Sequence, residues 1–295
     1  MSFFETSDSV NLYYEIHGHG EPIIFIHGLT ANHLHFKYQV SGLAKEFQVI
    51  VYDQRGHGTS GLANHDLNHD RLARDLRELI VHLNLPRVSL VGWSLGAHVM
   101  FEYIKHYGTA TLKRLCLIDM TPRLLKSEND KDADCWRHGL RGLNGRFGDF
   151  DYKDNVLTMA AMAASDWNRF AKASVERQYD RSLSTPNGFD YEANFKGKAE
   201  MAWLYEQALR NKTWVIVTLW ASMSVQDYRH LLSMIDVPVL ITYGEGSQYY
   251  DAENSRYMAQ NIPNATLASF PGCGHALHIQ DHDAFNRLLR QFLTA

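Results

Sequence analysis

One serine lies in a setting that could make it a nucleophile. Gly92-Trp93-Ser94-Leu95-Gly96 follows a short apolar run at 88–91 and precedes a helical pattern that continues through Tyr107. A reactive hydroxyl must stand clear of the sheet, and a sharp strand-to-helix turn lifts it there at the expense of backbone strain. Glycine suits positions 92 and 96 because a Cβ at either would collide with the neighbouring strand and helix. The helix N-terminus favours negative charge developing beside Ser94. A bare G-x-S-x-G is short enough to arise by chance, but this strand–turn–helix context predicts nucleophilic catalysis.

Other candidate motifs have plainer readings. Gly56-His57-Gly58-Thr59-Ser60-Gly61 fits G-x-G-x-x-G after a strand, yet a loop over 62–68 delays the helix that would receive a pyrophosphate. Its glycines therefore read as turn residues. No H-E-x-x-H or paired Cys/His spacing suggests a metal. Sixteen histidines offer many candidate bases; His65, His69 and His106 read as exposed polar residues. Cys273, near His275, reads as a small buried thiol. Asn211-Lys212-Thr213 and Asn264-Ala265-Thr266 match the glycosylation pattern without a secretory signal to give it meaning.

The elements that must position Ser94 alternate. Strand-like runs at 10–14, 23–26, 47–52, 88–91, 115–118, 237–243 and 266–270 are separated by helical patterns. One of these places Leu72, Leu76, Leu79, Ile80 and Leu83 on one face before Pro86. Alternation of this kind predicts an α/β fold with a mostly parallel twisted sheet flanked by helices. Residues 122–235 lack a strand pattern and are rich in Met, Trp and helix formers, which predicts an inserted helical cap. The expected division is a core of 1–121 and 236–295 and a cap of 122–235.

Composition narrows the function. The 295 residues carry 29 Lys+Arg against 33 Asp+Glu, a net charge of −4 that is too balanced for a nucleic-acid binder. No apolar run approaches membrane-spanning length. The start lacks a signal peptide's basic and apolar regions, and three cysteines without metal spacing suit a reducing compartment. The expectation is a cytoplasmic globular protein that meets neither nucleic acid nor membrane. Nothing in the sequence indicates its oligomeric state.

Four motifs together resemble the α/β-hydrolase fold with a helical cap. Phe25-Ile26-His27-Gly28-Leu29 resembles the loop that supplies half of the oxyanion hole. Asp53-Gln54-Arg55-Gly56-His57-Gly58-Thr59-Ser60 resembles the family's next strand-end signature, the Ser94 turn is the third motif, and Gly274-His275 resembles the catalytic-histidine position. The resemblance implies His275 as general base, with His278 a weaker rival, and the backbone N–H groups of Leu29 and Leu95 as oxyanion donors. It implies that His27 braces its loop. Trp93, Leu29 and Gly28 are candidate substrate-binding residues.

The acid departs from the common pattern. Gly244-Glu245-Gly246-Ser247 puts Ser247 where the family most often carries Asp. Asp119 and Glu245 are the two substitutes. Asp119 is preferred because Asp119-Met120-Thr121-Pro122 resembles members whose acid follows the strand before the cap. The expected activity is serine hydrolysis of a carboxylic ester with a sizeable apolar acyl or alcohol part, without a cofactor. Lactone, thioester and C–C bond hydrolysis, hydroxynitrile lyase and perhydrolase chemistry remain open alternatives on the same triad. A ligand-sensing protein with slow turnover is the alternative of another class.

Overall fold

The computed structural model describes residues 2–63, 65–125, 152–178 and 198–295. Eight strands, β1 (Ser2–Glu5), β2 (Asn11–His17), β3 (Glu21–Ile26), β4 (Phe47–Tyr52), β5 (Val88–Trp93), β6 (Leu112–Ile118), β7 (Val239–Gly244) and β8 (Ala265–Phe270), form one sheet in the order β1-β2-β4-β3-β5-β6-β7-β8. The six strands from β4 to β8 in that order run parallel, and β1 and β2 are antiparallel at one edge. The mostly parallel sheet read from the sequence is present. Strand β1 was not anticipated. Only Phe4 in it faces the core, while Phe3 is half exposed, so the run lacks a readable apolar alternation.

Side-chain alternation along the central strands builds two cores. Ile24 and Ile26 of β3, Leu90 of β5, Leu115 and Leu117 of β6 and Ile241 of β7 face one side. Ile23 and Phe25, Val91 and Trp93, Cys116 and Ile118, and Leu240 face the other. Burial on both faces is why these strands read as continuous apolar runs. Each fully buried Leu, Ile or Val contributes about 1.5–3 kcal/mol, so the sheet centre is the rigid part on which a site can be hung.

Helices α1 (Lys37–Leu43), α2 (His69–His82) and α3 (Leu95–Tyr107) follow the early strands. Asn68 caps α2 by accepting the Arg71 N–H at 2.9 Å, and Leu72, Leu76, Leu79 and Ile80 form its buried face. Between β6 and β7 the described residues form four α-helices and no strand: α4 (Tyr152–Ser165), α5 (Trp167–Gln178), α6 (Lys198–Leu209) and α7 (Thr213–Ser224). Parts of the expected cap, with Cys135 and Trp136, lie outside the described residues. After β7 come α8 (Ala252–Asn261), the short α9 (Leu277–Gln280) and the C-terminal α10 (His282–Thr294). Among the described residues no helix is long and apolar enough to cross a membrane.

Candidate active site

Ser94 joins β5 to α3 at φ 54° and ψ −119°, a conformation L residues rarely adopt. The surrounding contacts explain the glycines. A Cβ on Gly96 would lie 2.0 Å from the Ile26 carbonyl oxygen, and one on Gly92 would lie 2.4 Å from Met100 Sδ and 2.7 Å from the Ala97 nitrogen. Gly28 lets its loop approach Ser94; a Cβ there would meet Ser94 Cβ and the Trp93 ring, each at 3.2 Å.

Asp119 mirrors Ser94 on the neighbouring strand. It follows β6, is buried, and holds φ 43°. The Ser94 N–H donates to the Ile118 carbonyl at 3.1 Å, and the Asp119 N–H donates to the Thr242 carbonyl at 2.8 Å. These bonds lock the ends of β5, β6 and β7 together. Asp119 Oδ1 accepts the Gly244 N–H at 3.2 Å, and Oδ2 accepts the Ser247 hydroxyl at 2.7 Å. His275 Nδ1 lies 2.6 Å from the same Oδ2.

The His275 loop is fixed by its backbone. Trp93 Nε1 donates to the His275 carbonyl at 2.9 Å, Gly274 N–H donates to Gln280 Oε1 at 2.7 Å, and Gly246 N–H donates to the Cys273 carbonyl at 2.9 Å. Gly244 has no Cβ to block this approach, since one would fall 2.1 Å from the Gly274 carbonyl oxygen. Tyr249 and Tyr250 flank the imidazole, with ring centroids 4.6 and 5.6 Å away. The structure brings Asp119, not Glu245, to His275. Glu245 is exposed, and its N–H bonds to the Phe270 carbonyl.

Ser94 and His275 line one cavity of about 170 Å³ with Leu29, Thr30 and Tyr250. Met159 and Met162 of α4, Phe170 and Arg177 of α5, and Trp220 and Met223 of α7 close it from the inserted helices. Among the described residues no hydrogen bond joins Ser94 to His275; the Tyr250 hydroxyl faces Ser94 instead. Burial keeps that phenol protonated, above the ordinary tyrosine range. Catalytic bonds that are long in a free enzyme commonly tighten when substrate arrives. The N–H groups of Leu29 and Leu95 donate to no other described group, and Leu95 opens α3.

Several expectations change. Trp93 does not reach the cavity: it is fully buried in the core on the far sheet face, and its indole secures the His275 backbone. Gly28 is likewise absent from the cavity wall, and its role is close approach. His278 packs behind Trp93, against Phe36 and Phe285, with no hydrogen-bond partner for either ring nitrogen among the described residues. His69 is buried rather than exposed, its Nδ1 2.9 Å from Ser222 Oγ of α7. His27 accepts the Gln54 N–H at Nε2, 3.0 Å, and burial lowers its pKa to about 3, so it braces the loop as a neutral ring. Asp70, Glu102 and His106 cluster closely enough for a metal. Arg74, Lys105 and Tyr228 already engage the two carboxylates.

Sequence reasoning missed Ser247, Tyr249, Tyr250 and Arg177. It also missed three amides that tie the inserted helices to the loop after Leu29. Asn211 Nδ2 donates to the Thr30 carbonyl at 2.8 Å, Asn32 Nδ2 donates to Gln207 Oε1 at 2.9 Å, and Gln178 Nε2 donates to Thr30 Oγ1 at 3.4 Å. The doublet Tyr249-Tyr250, just after a strand end, was the available signal.

The alpha/beta hydrolase fold family profile matches residues 21–282. The chain belongs to that family. This alpha/beta hydrolase is 28% identical to a putative non-heme chloroperoxidase of Synechocystis sp., over 98% of this chain and 97% of that protein. It is 26% identical to a bifunctional esterase/perhydrolase of Acinetobacter calcoaceticus, over the full length of both. Its fold is similar to that of an esterase from Exiguobacterium antarcticum, with a TM-score of 0.84 at 22% identity, covering 100% of this chain and 99% of that one. Together these likenesses support an esterase-type hydrolase.

Proposed function

We propose that this hydrolase is a serine esterase that cleaves small carboxylic esters through Ser94, His275 and Asp119. The carrying observation is the 2.6 Å His275–Asp119 contact beside the cavity that Ser94 lines. Ser94 Oγ attacks the ester carbonyl carbon while His275 Nε2 takes its proton. Asp119, at Nδ1, fixes the tautomer and stabilises the imidazolium. The N–H groups of Leu29 and Leu95 hold the oxyanion. Collapse breaks the C–O bond, and the alkoxide leaves with the proton from His275. Water then attacks the acyl-enzyme by the same route and releases the acid and Ser94.

The inserted helices act as the lid of this site. A cavity of ~150 Å³ holds benzene, so one of about 170 Å³ suits a single ring or a short acyl chain. Its methionines adapt to acyl shape. The test is hydrolysis of a p-nitrophenyl ester series. Turnover should peak near about four acyl carbons, for a cavity of this size. Ser94→Ala should lower kcat by about 10⁶-fold and Asp119→Asn by about 10⁴-fold, with Glu245→Gln within about twofold. No turnover on any ester would overturn the esterase reading, and loss with Glu245→Gln in place of Asp119→Asn would overturn the assigned acid.

A further inference from the structure

Ser247 occupies the position after β7 where the sequence resemblance expects a carboxylate. Its side chain is buried, and all three of its bonds bear on the site. The hydroxyl donates to Asp119 Oδ2 at 2.7 Å, and its oxygen accepts the N–H groups of Tyr249 at 3.3 Å and Tyr250 at 3.4 Å. Its own N–H closes the turn on the Gly244 carbonyl at 3.0 Å. One hydroxyl therefore touches the carboxylate oxygen that faces His275 and orders the two tyrosines that flank the imidazole.

We propose that Ser247 is a positioning residue that orients Asp119 and divides the charge of its Oδ2 between the imidazole and a second donor. The inference rests on the triad reading above. A carboxylate with one donor can swing about its Cβ–Cγ bond, whereas here Gly244 N–H holds Oδ1 and Ser247 holds Oδ2, leaving His275 Nδ1 in line with the remaining lone pair. The other groups around the His275 ring carry no compensating anion: Trp93 from β5, Tyr249 and Tyr250 from the loop after β7, with His278 behind and Arg177 over the Tyr249 ring at 4.6 Å.

Removing the hydroxyl has two separable effects. Asp119 loses one restraint, which lowers the rate at every pH. Its Oδ2 also presents undivided charge to the imidazole, and the acid limb of the rate profile moves upward. A role in packing alone produces the first effect without the second.

The experiment follows covalent labelling of Ser94 by an alkyl fluorophosphonate, read by mass spectrometry from pH 5 to 9. This probe needs an activated serine but not the natural ester. Ser247→Ala should label about tenfold more slowly at neutral pH, with its acid limb raised by about half a unit or more. Ser247→Thr, which keeps the hydroxyl, should follow the wild type. An unmoved acid limb in Ser247→Ala overturns the inference, whether or not the rate falls. Asp119→Asn labelling as fast as wild type, or no wild-type label at Ser94, overturns the triad reading and takes this inference with it.

Discussion

Ser94 and Asp119 adopt positive φ at the ends of adjacent strands, where the backbone turns sharply enough to lift both side chains out of the sheet. A non-glycine residue held this way costs about 1–3 kcal/mol. The strain persists because glycines on either side of Ser94 admit the packing that enforces it. Ser94→Gly should therefore be more stable than Ser94→Ala by about 1 kcal/mol after glycine's own entropy cost. For a chain of this size that corresponds to a Tm difference of about 2–4 °C, measurable by thermal melting. A Gly variant melting at or below the Ala variant would show that the turn is relaxed. This turn was legible in the sequence because only glycine satisfies so tight a constraint. Trp93 was misread for a related reason. It adjoins Ser94 in sequence, but strand alternation sends the indole to the opposite face.

At the scale of elements, β6 and β7 are paired neighbours, with Ile118 opposite Thr242. Their ends approach one imidazole from adjacent positions, so the acid can hang from either strand. Asp119→Asn combined with Ser247→Asp should recover at least about tenfold of the activity lost by Asp119→Asn alone, since orientation of the base carries most of that loss. An unrecovered rate in a folded double variant would mean that position 247 cannot aim a carboxylate at Nδ1. The strands themselves were legible as buried apolar runs, and the helix over α2 as a periodic face. The site's second half was not. Ser247 acquires its role from Asp119, 128 residues away in the chain, and Tyr249 and Tyr250 theirs from the His275 ring, through pairings that no local pattern encodes. Gln178 of α5 and Gln207 of α6 were hidden likewise, because a Gln in a helix reads as surface until its partner is known, and Asn211, just after α6, reads as a turn residue.

At the scale of the whole molecule, six buried histidines are kept neutral by burial. The pKa values of His27 and His35 fall to about 3 and those of His57 and His98 to about 4, while His69 and His278 lie well below the ordinary range. The unfolded chain takes up these protons near pH 6.5, and the folded chain does so only in stronger acid. Stability is therefore complete above about pH 6.5 and declines as pH falls from there toward 4. At pH 5.5 each histidine removes about 1.4 kcal/mol. All six approach the total stability of a typical domain, about 5–15 kcal/mol. Thermal melts should show Tm falling steeply between pH 6.5 and 5, and His278→Phe should flatten that fall. A Tm constant down to pH 5 would refute this account.

The amide bonds between the inserted helices and the loop after Leu29 bear on how this protein can be re-engineered. Asn211 and Gln178 hold Thr30, and Gln207 holds Asn32, so part of the wall beside Ser94 is held in place by residues between β6 and β7. Grafting the insertion of a relative onto this core would exchange the binding surface and strip three tethers from the loop in the same operation. A chimera that keeps Gln178, Gln207 and Asn211 at their places inherits a seated loop. One that replaces them changes specificity and rate together, and its kinetics report both at once.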